Sequence, residues 1–567
     1  MKNDTKEIGL FKMSSFYLAI LYMFSNFALA SSPLDQIPIQ DRGRVKPFIS
    51  FAHETLYLIH GSKNIKLPDS KDKTKKVKRE ASEVILTFML APEQWESTPL
   101  IRLDHLELKK ALGFKSEDKF FSVQDLFKST SLGTLMQQMA TKVERKEKLN
   151  PFDQAVQKLE SQLGYVRLLQ SGDALRLVPS KTESTWLSVN QLEGPVKDKF
   201  TDVLKSLIKV ISDKMSSENK KSEANKLNET DLNQQVLAFI ELAKNENPSS
   251  YANIKTIKTE LHYSFLKPFF WAALFYFLAF LSMTLFWVFS QTKFVTLCWS
   301  FTFLGLGMHI YGFILRSIIS GRAPVTNMYE TVVWVPLGAI IFGIGIEYFK
   351  KNKFTLLGAN FGAFLCLLLA DMAPAVLDPT IQPLEAVLRS NFWLSTHVTI
   401  IVISYAAFFL AFVLGDINLV YFILDPKKWA KQIRTINDSI YRAIQIGILL
   451  LGIGIVLGGI WADYSWGRFW GWDPKETWAL IALLGYIAVL HARLVGWVKQ
   501  FGMSATAVAS FSLVIMAWYG VNYVLGAGLH SYGFGAGGVE YVTGFVVIHL
   551  LFIGMAYLIK ERKLKIK

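Results

Sequence analysis

Two regimes of hydrophobic patterning divide this chain. Beyond residue 267 the apolar residues come in long runs, near 268–289, 295–315, 331–349, 354–373, 397–424, 441–462, 476–496, 502–524 and 541–560. A helix that crosses a bilayer needs about 20 mostly apolar residues, and these runs are of that order. The pattern predicts an all-α polytopic membrane protein with about nine transmembrane helices, over 263–567. Residues 31–262 are polar and Lys-rich by contrast, and predict an N-terminal exported soluble domain, mainly helical. Within it, "NPFDQAVQKLESQLGYVRLL" (150–169) has helical periodicity and "ALRLVPS" (174–180) reads as a short strand. "KLPDSKDKTKKVKRE" (66–80) and "SSENKKSEANKLNETDLNQQ" (216–235) are charged and poor in aromatics, and read as solvated loops. The first 30 residues place Lys2, Lys6 and Lys12 ahead of an apolar stretch that ends in Ala28-Leu29-Ala30. That is the pattern of a signal peptide or signal anchor, which would export the chain from Ser31 onward.

Charge adds an orientation. If residues 31–267 are outside, the inner ends of the runs carry Lys293, "KKNK" (350–353), "DPKKWAKQIR" (425–434), Arg493 with Lys499, and "KERKLKIK" (560–567). Every inner loop is then basic, as the positive-inside rule requires. The formal charge of +15 is accounted for by this topology and by a basic soluble domain, so it does not call for a nucleic-acid partner.

The candidate chemistry lies in the outer loops. "WGRFWGWDPKETW" runs from Trp466 to Trp478 and holds four tryptophans, more than an interfacial aromatic belt explains. Asp473, Pro474 and Glu476 have the spacing of a helix start with a capping box. If the loop is helical, Trp466, Trp470 and Asp473 share a face; if it is extended, Trp470 and Trp472 do. His397 and His530 flank this loop in sequence and share its side of the membrane. Two imidazoles beside an aromatic platform suit haem, with nitrogens on iron and indole faces on the porphyrin. Arg468 and Lys475 could then pair with the propionates. His491 lies about 15 residues into its run, roughly 22 Å below the outer face, whereas His309 falls in the outer half, so the two are not expected to ligate one iron. His549 reads as a packed core histidine. Cys298 and Cys366 stand alone in apolar runs, and no CxxC or CxxCH occurs, so the chain has no evident dithiol and no covalent haem site of its own.

These segments resemble the CcsA/ResC family of cytochrome c biogenesis. The Trp loop looks like that family's tryptophan-rich WWD signature, set between an upstream outer histidine (His397) and a downstream one (His530), with "LHAR" (490–493) after it. "GRAPVTNMYET" (321–331) resembles a further family segment, and "IPIQDRGRVKPFISFAHETL" (37–56) a stretch found in some longer members. The resemblance implies a component of a haem-attaching cytochrome c synthase complex in the bacterial cytoplasmic (inner) membrane, with the loop on the periplasmic side. Its cargo would be haem b and its partners a CcsB/ResB-type membrane subunit, membrane lipid and an apocytochrome c whose CxxCH thiols take the haem. By the same resemblance His397 and His530 would ligate presented haem and His491 haem within the membrane, while Trp466, Trp470, Trp472, Asp473 and Arg468 would shape the site. A haem transporter, a membrane haem electron carrier without ligation activity, and a CcmF-type ligase sharing the WWD loop are the alternatives.

Overall fold

The computed structural model describes residues 32–68, 76–145, 147, 149–216, 223–252, 256–373, 377–383, 390–525 and 538–565. The signal expected over 1–30 and the ligand expected at His530 lie outside the described residues. Two compact units emerge, one within Phe27–Phe265 and one within Leu266–Lys567.

The N-terminal unit opens on a hairpin, β1 (Pro38–Asp41) and β2 (Arg44–Pro47), paired antiparallel with Asp41 opposite Arg44. Its two-residue turn, Arg42-Gly43, has positive φ at both positions, the geometry that matches the twist of paired strands. Helix α1 (Phe48–His60) follows and stops at a left-handed Gly61. The hairpin carries a buried ionic cluster. Lys46, 1% exposed, donates to Asp41 (3.0 Å) and Glu54 (2.6 Å). Arg44 forks onto both oxygens of Glu260 at 2.6 and 3.1 Å. A buried lysine is stable only when its donors are met, and here two carboxylates meet them. Burial raises the Glu54 carboxyl, and the Lys46 ammonium works against that shift.

Two expected loops prove ordered at their ends. Ile65–Pro68 (β3) and Lys76–Arg79 (β4) form an antiparallel hairpin; residues 69–75 lie outside the described residues. Helix α2 (Pro151–Ser171) starts with a capping box between Asn150 and Asp153, and the expected strand is β5 (Arg176–Val178), paired with β6 (Leu187–Ser188). Helix α3 (Gly194–Ser216) packs on α4 (Glu223–Glu246). The loop expected over 216–235 is therefore helical from Glu223. Leu232, Val236, Phe239 and Ala243 bury one stripe of α4 at i, i+4, i+7 and i+11, and that stripe outweighs the polar remainder. These side chains join one apolar core with Phe48, Leu56, Leu159 and Phe200.

The second unit is a helical bundle. Among the described residues, nine helices are long and apolar enough to cross a membrane. Helix α5 (Ile257–Leu266) closes the N-terminal unit and carries Glu260; the bundle is α6 (Pro268–Phe289), α7 (Thr292–Ser320), α8 (Met328–Lys350), α9 (Phe354–Met372), α10 (Thr399–Leu424), α11 (Ala430–Trp466), α12 (Pro474–Leu494), α13 (Gln500–Ile515) and α14 (Val539–Lys565). The expected runs all appear, but α11 begins three turns before the apolar run that predicts it. "AKQIRTINDSIY" (430–441) is amphipathic and buries Ile433, Ile436 and Ile440, so it continues the helix that hydropathy alone cuts short.

Helices α6–α9 pack on one another, α8 and α9 pack on α10, and α10 in turn packs on α11, α13 and α14. Over its apolar stretch, 67% of α10 is buried, against 6% for α14. Glycines let α11 lie close against α10. A Cβ on Gly447 would stand 2.5 Å from Phe408, one on Gly454 2.6 Å from Ile401, and one on Gly458 2.6 Å from His397. Small residues at such contacts replace the hydrophobic drive that lipid does not supply. We call the end of the bundle where α9, α11 and the 321–327 turn finish the loop end.

Candidate functional site

His397 stands on a π-helical turn, Leu394–Val398, that leads into α10. Such turns widen a helix by one residue and recur at functional sites. The Nδ1–H of His397 donates to the Gly454 carbonyl at 2.9 Å, which leaves the ring's lone pair on Nε2. A backbone carbonyl on one imidazole nitrogen is the arrangement that orients metal-binding histidines. Gly458 forms the floor under the ring, and Trp461 stands 5.8 Å away, tilted by 59°.

Helix α11 brings the Trp loop to the same place. It ends at Trp466 with a left-handed Gly467 as its stop. Residues 467–473 are not helical, so Trp466, Trp470 and Asp473 do not share a helical face, and the left-handed Gly467 and Trp472 depart from an extended strand as well. Phe469 folds back until its ring meets Gly459, the neighbour of the glycine beneath His397. Trp470 and Trp472 then meet edge to face, with centroids 5.9 Å apart at 90°. Trp472 is 70% exposed and holds φ at +54°. An indole is costly in both respects, because it is left in contact with solvent or lipid headgroups and its backbone sits in the left-handed region. Trp466 lies under the Arg468 guanidinium at 5.6 Å.

The loop closes on Glu476. Asp473 caps α12, accepting from the Lys475 N–H, and the capping box with Glu476 is present as the spacing implies. Glu476 Oε2 accepts from the backbone of Gly471 (2.8 Å) and of Asp473 (3.2 Å). Its Oε1 lies 3.5 Å from Arg468. The guanidinium rests on Gly471, where a Cβ would fall inside it. Arg468 is thus balanced within the chain. Lys475 also has a partner that its sequence surroundings do not reveal: Nζ donates to Asn522 Oδ1 at 2.9 Å.

The other histidines divide sharply. His309 is fully buried; its Nε2–H donates to the Val333 carbonyl (3.0 Å), and Nδ1 accepts from the Tyr276 hydroxyl (3.2 Å). Pro336 interrupts the hydrogen-bond ladder of α8 at that turn. Both ring nitrogens are used, so His309 serves the core. His491 is exposed in the last turn of α12, on a stripe with Ile481, Leu484 and Ala488. Its Nδ1–H donates to the Ile487 carbonyl at 2.9 Å, leaving Nε2 as the acceptor nitrogen on an outward face. The structure does not bring His397 and His491 together: one begins a helix at the loop end, and the other ends a helix at the opposite end. His549 is not the packed core histidine that its apolar run suggests. It is half-buried and lies 3.4 Å from Asp416 Oδ2 across α10 and α14, while its Nδ1–H donates to Phe545. Asp416 escapes a sequence reading because its partner is more than a hundred residues away.

The family model "Cytochrome C assembly protein" matches residues 325–530. NrfI of Wolinella succinogenes is 29% identical over 521 residues, covering 87% of this chain and 53% of its own length; the chain thus spans about half of that relative. CcsA of Guillardia theta is 34% identical over 244 residues, 38% of this chain and 79% of its own length. CcsA of Chlorella vulgaris is 36% identical over 262 residues, 39% of this chain and 81% of its own length. His397, His491 and the whole Trp loop fall inside the matched region.

Proposed function

Because this chain belongs to the CcsA family of cytochrome c biogenesis proteins, we propose that its membrane unit receives haem and presents it at the loop end to the CxxCH thiols of an apocytochrome c. The observation that carries this reading is His397, oriented by the Gly454 carbonyl at the same helix end as the paired indoles of Trp470 and Trp472. In this reading His397 Nε2 and His530 would hold the haem iron, and the indoles would shield the haem from water. The loop end faces the periplasm and the basic end the cytoplasm of a bacterial inner membrane. Asp473 and Glu476 hold the loop's shape and do not take part in the chemistry. The thioether bonds form on the haem vinyl carbons from the cytochrome's own thiols, and the chain's contribution is position and exclusion of water.

His491 belongs to a second, inner step. An imidazole on an outward apolar face at membrane depth is expensive unless something meets it. A helix of a CcsB/ResB-type subunit, carrying a second ligand, fits that face. Haem taken up there would pass outward to the His397 site. The cargo is non-covalent haem, of the b type, until the cytochrome accepts it.

The test is His397→Ala in cells that also express the partner subunit and a c-type cytochrome. Holocytochrome should fall at least about tenfold, the order seen when a metal-site ligand or its support is removed, and added imidazole should restore part of it. Wild-type yield and haem content would refute the reading. Purified membranes with His491→Ala should lose haem only when the partner is present. A chain that moves haem across vesicles but supports no holocytochrome would favour a transporter.

A further inference from the structure

The bond between Lys475 and Asn522 is part of a longer network. Asn522, 7% exposed, also donates through Nδ2 to the Trp518 carbonyl (3.2 Å) and reaches Met328 Sδ (3.6 Å). Trp518 Nε1–H donates to Thr331 Oγ1 at 2.8 Å. The Nδ2 bonds settle which way the amide points, because the end that donates to a carbonyl cannot also accept from Nζ. Oδ1 therefore faces the lysine. Trp518 and Asn522 lie on a second π-helical stretch, Met516–Leu525, and the wider turn brings both side chains to the same neighbour. That neighbour is the start of α8, where Asn327 caps the helix by accepting from Glu330 N (2.8 Å). Below it, Arg316 and Glu330, each 1% exposed, pair at 2.7 Å. Three segments far apart in sequence thus abut at the loop end: 327–331, 473–476 and 516–525. The most firmly built is the first.

We propose that Lys475 and Asn522 are positioning residues, a brace that fixes where Trp470 and Trp472 stand by fastening the start of α12 to the 327–331 turn. Neither side chain acts as a clamp for a carboxylate of the cargo. The purpose assigned to the brace rests on the haem-presentation reading; its existence does not. Lys475 follows Trp472 by three residues, and Asp473 and Pro474 between them are fixed by the cap, so a shift at Nζ is passed to the indoles with little slack. This also gives "TNMYET" a role: it is the abutment against which the Trp loop is set.

The two roles of Lys475 make opposite demands on position 522. A brace needs only an acceptor opposite Nζ, so Asn522→Asp should retain it. A cargo clamp would be disabled by the same change, because a new carboxylate would compete for the ammonium. The experiment uses the full chain with its partner subunit and a c-type cytochrome. Asn522→Asp should keep holocytochrome within about twofold of the parent. Asn522→Leu and Lys475→Met should each lower it at least about tenfold, and the double variant should be no worse than either, as for residues acting as one unit. In parallel, the haem-free chain with Cys298→Ser and Cys366→Ser carries nitroxide labels at Trp472→Cys and Met372→Cys. Their distance should be narrow in the parent and in Asn522→Asp, and broad in Asn522→Leu. Unchanged distances in Asn522→Leu would overturn the brace, as would an Asn522→Asp variant as damaged as Asn522→Leu. Displaced labels with unaffected holocytochrome would overturn its positioning role. If His397→Ala were equally harmless, the haem-presentation reading would be the one that falls.

Discussion

The two halves of the membrane unit handle polar groups in opposite ways. Helices α6–α9 meet several of their buried polar groups within the same half, while Thr355 and Asn352 reach across to Ser439 of α11. Arg316 meets Glu330 and the Pro379 carbonyl, Thr302 and Asn360 bond each other, and His309 uses both ring nitrogens. Helices α10–α14 leave Trp472 and His491 facing outward and bury almost none of α14. A half that meets most of its strongest polar groups internally is a scaffold. A half that keeps costly groups at its surface is arranged to meet something else, and in the proposed function cargo and partner supply what it lacks.

The sharpest way to break this contrast is to open the scaffold. Arg316→Ala should cost about 3–5 kcal/mol, the usual penalty for stranding one member of a buried ion pair, and little folded chain should be recovered from detergent. Arg316→Met with Glu330→Leu should recover most of it. A midpoint of thermal unfolding unmoved by Arg316→Ala would put the two halves on the same footing.

The second half should behave the other way. Trp470→Ala should leave unfolding nearly unchanged yet lower holocytochrome at least about tenfold, about 1.4 kcal/mol. Trp470 ranks first because it touches Trp472 and is more enclosed than it. Equal tolerance of alanine at Trp466, Trp470 and Trp472 would reduce the loop to an interfacial belt.

Smaller still is the fastening of α14. His549 Nδ1–H donates to the Phe545 carbonyl, and its Nε2 faces Asp416 Oδ2 at 3.4 Å. Asp416→Ala or His549→Ala should loosen α14 by about 1 kcal/mol, the scale of polar contacts between membrane helices, read as faster proteolysis near its end. A much larger loss would make α14 part of the scaffold.

The last effect lies outside the membrane unit, in the N-terminal unit, and serves as a control. Burial pushes the Asp35 carboxyl up to about 6, against the hydrogen bond from Ser82. The folded chain then holds a proton that the unfolded chain releases at lower pH, so this unit loses stability as pH rises from about 4 to about 6. Asp35→Asn should remove that loss, on the order of 1–2 kcal/mol once solvent screening is allowed for. Thermal scans across that range check it, and the membrane unit's transition should not follow.

Much of this architecture is legible in the residues. Nine apolar runs foretell nine helices, and Asp473-Pro474-x-Glu476 foretells a cap, because both signals are local. The helix at Glu223–Glu246 is hidden by its polar majority, since only its buried stripe declares it. The partners of Lys475, His309 and His549 are out of reach for a different reason: each lies tens of residues or more away, and a spacing rule has nothing to say about it. Depth alone would allow His309 to be a ligand; only the Val333 carbonyl and the Tyr276 hydroxyl show it to be spoken for.

Helix α11 has a further consequence. Its 37 residues make a rod of about 55 Å, against a hydrocarbon thickness of about 30 Å. A helix with that much overhang does not need the bilayer to match it, and tilt or local thinning would change how far it protrudes without bending it. Most of the overhang is the amphipathic 430–441 segment at the basic end, so the aromatic loop, which begins about one turn past the apolar run, stays close to the lipid surface while its distance from His397 is set within the bundle. Acyl-chain length should shift how far the basic end protrudes and leave the geometry of the loop itself untouched.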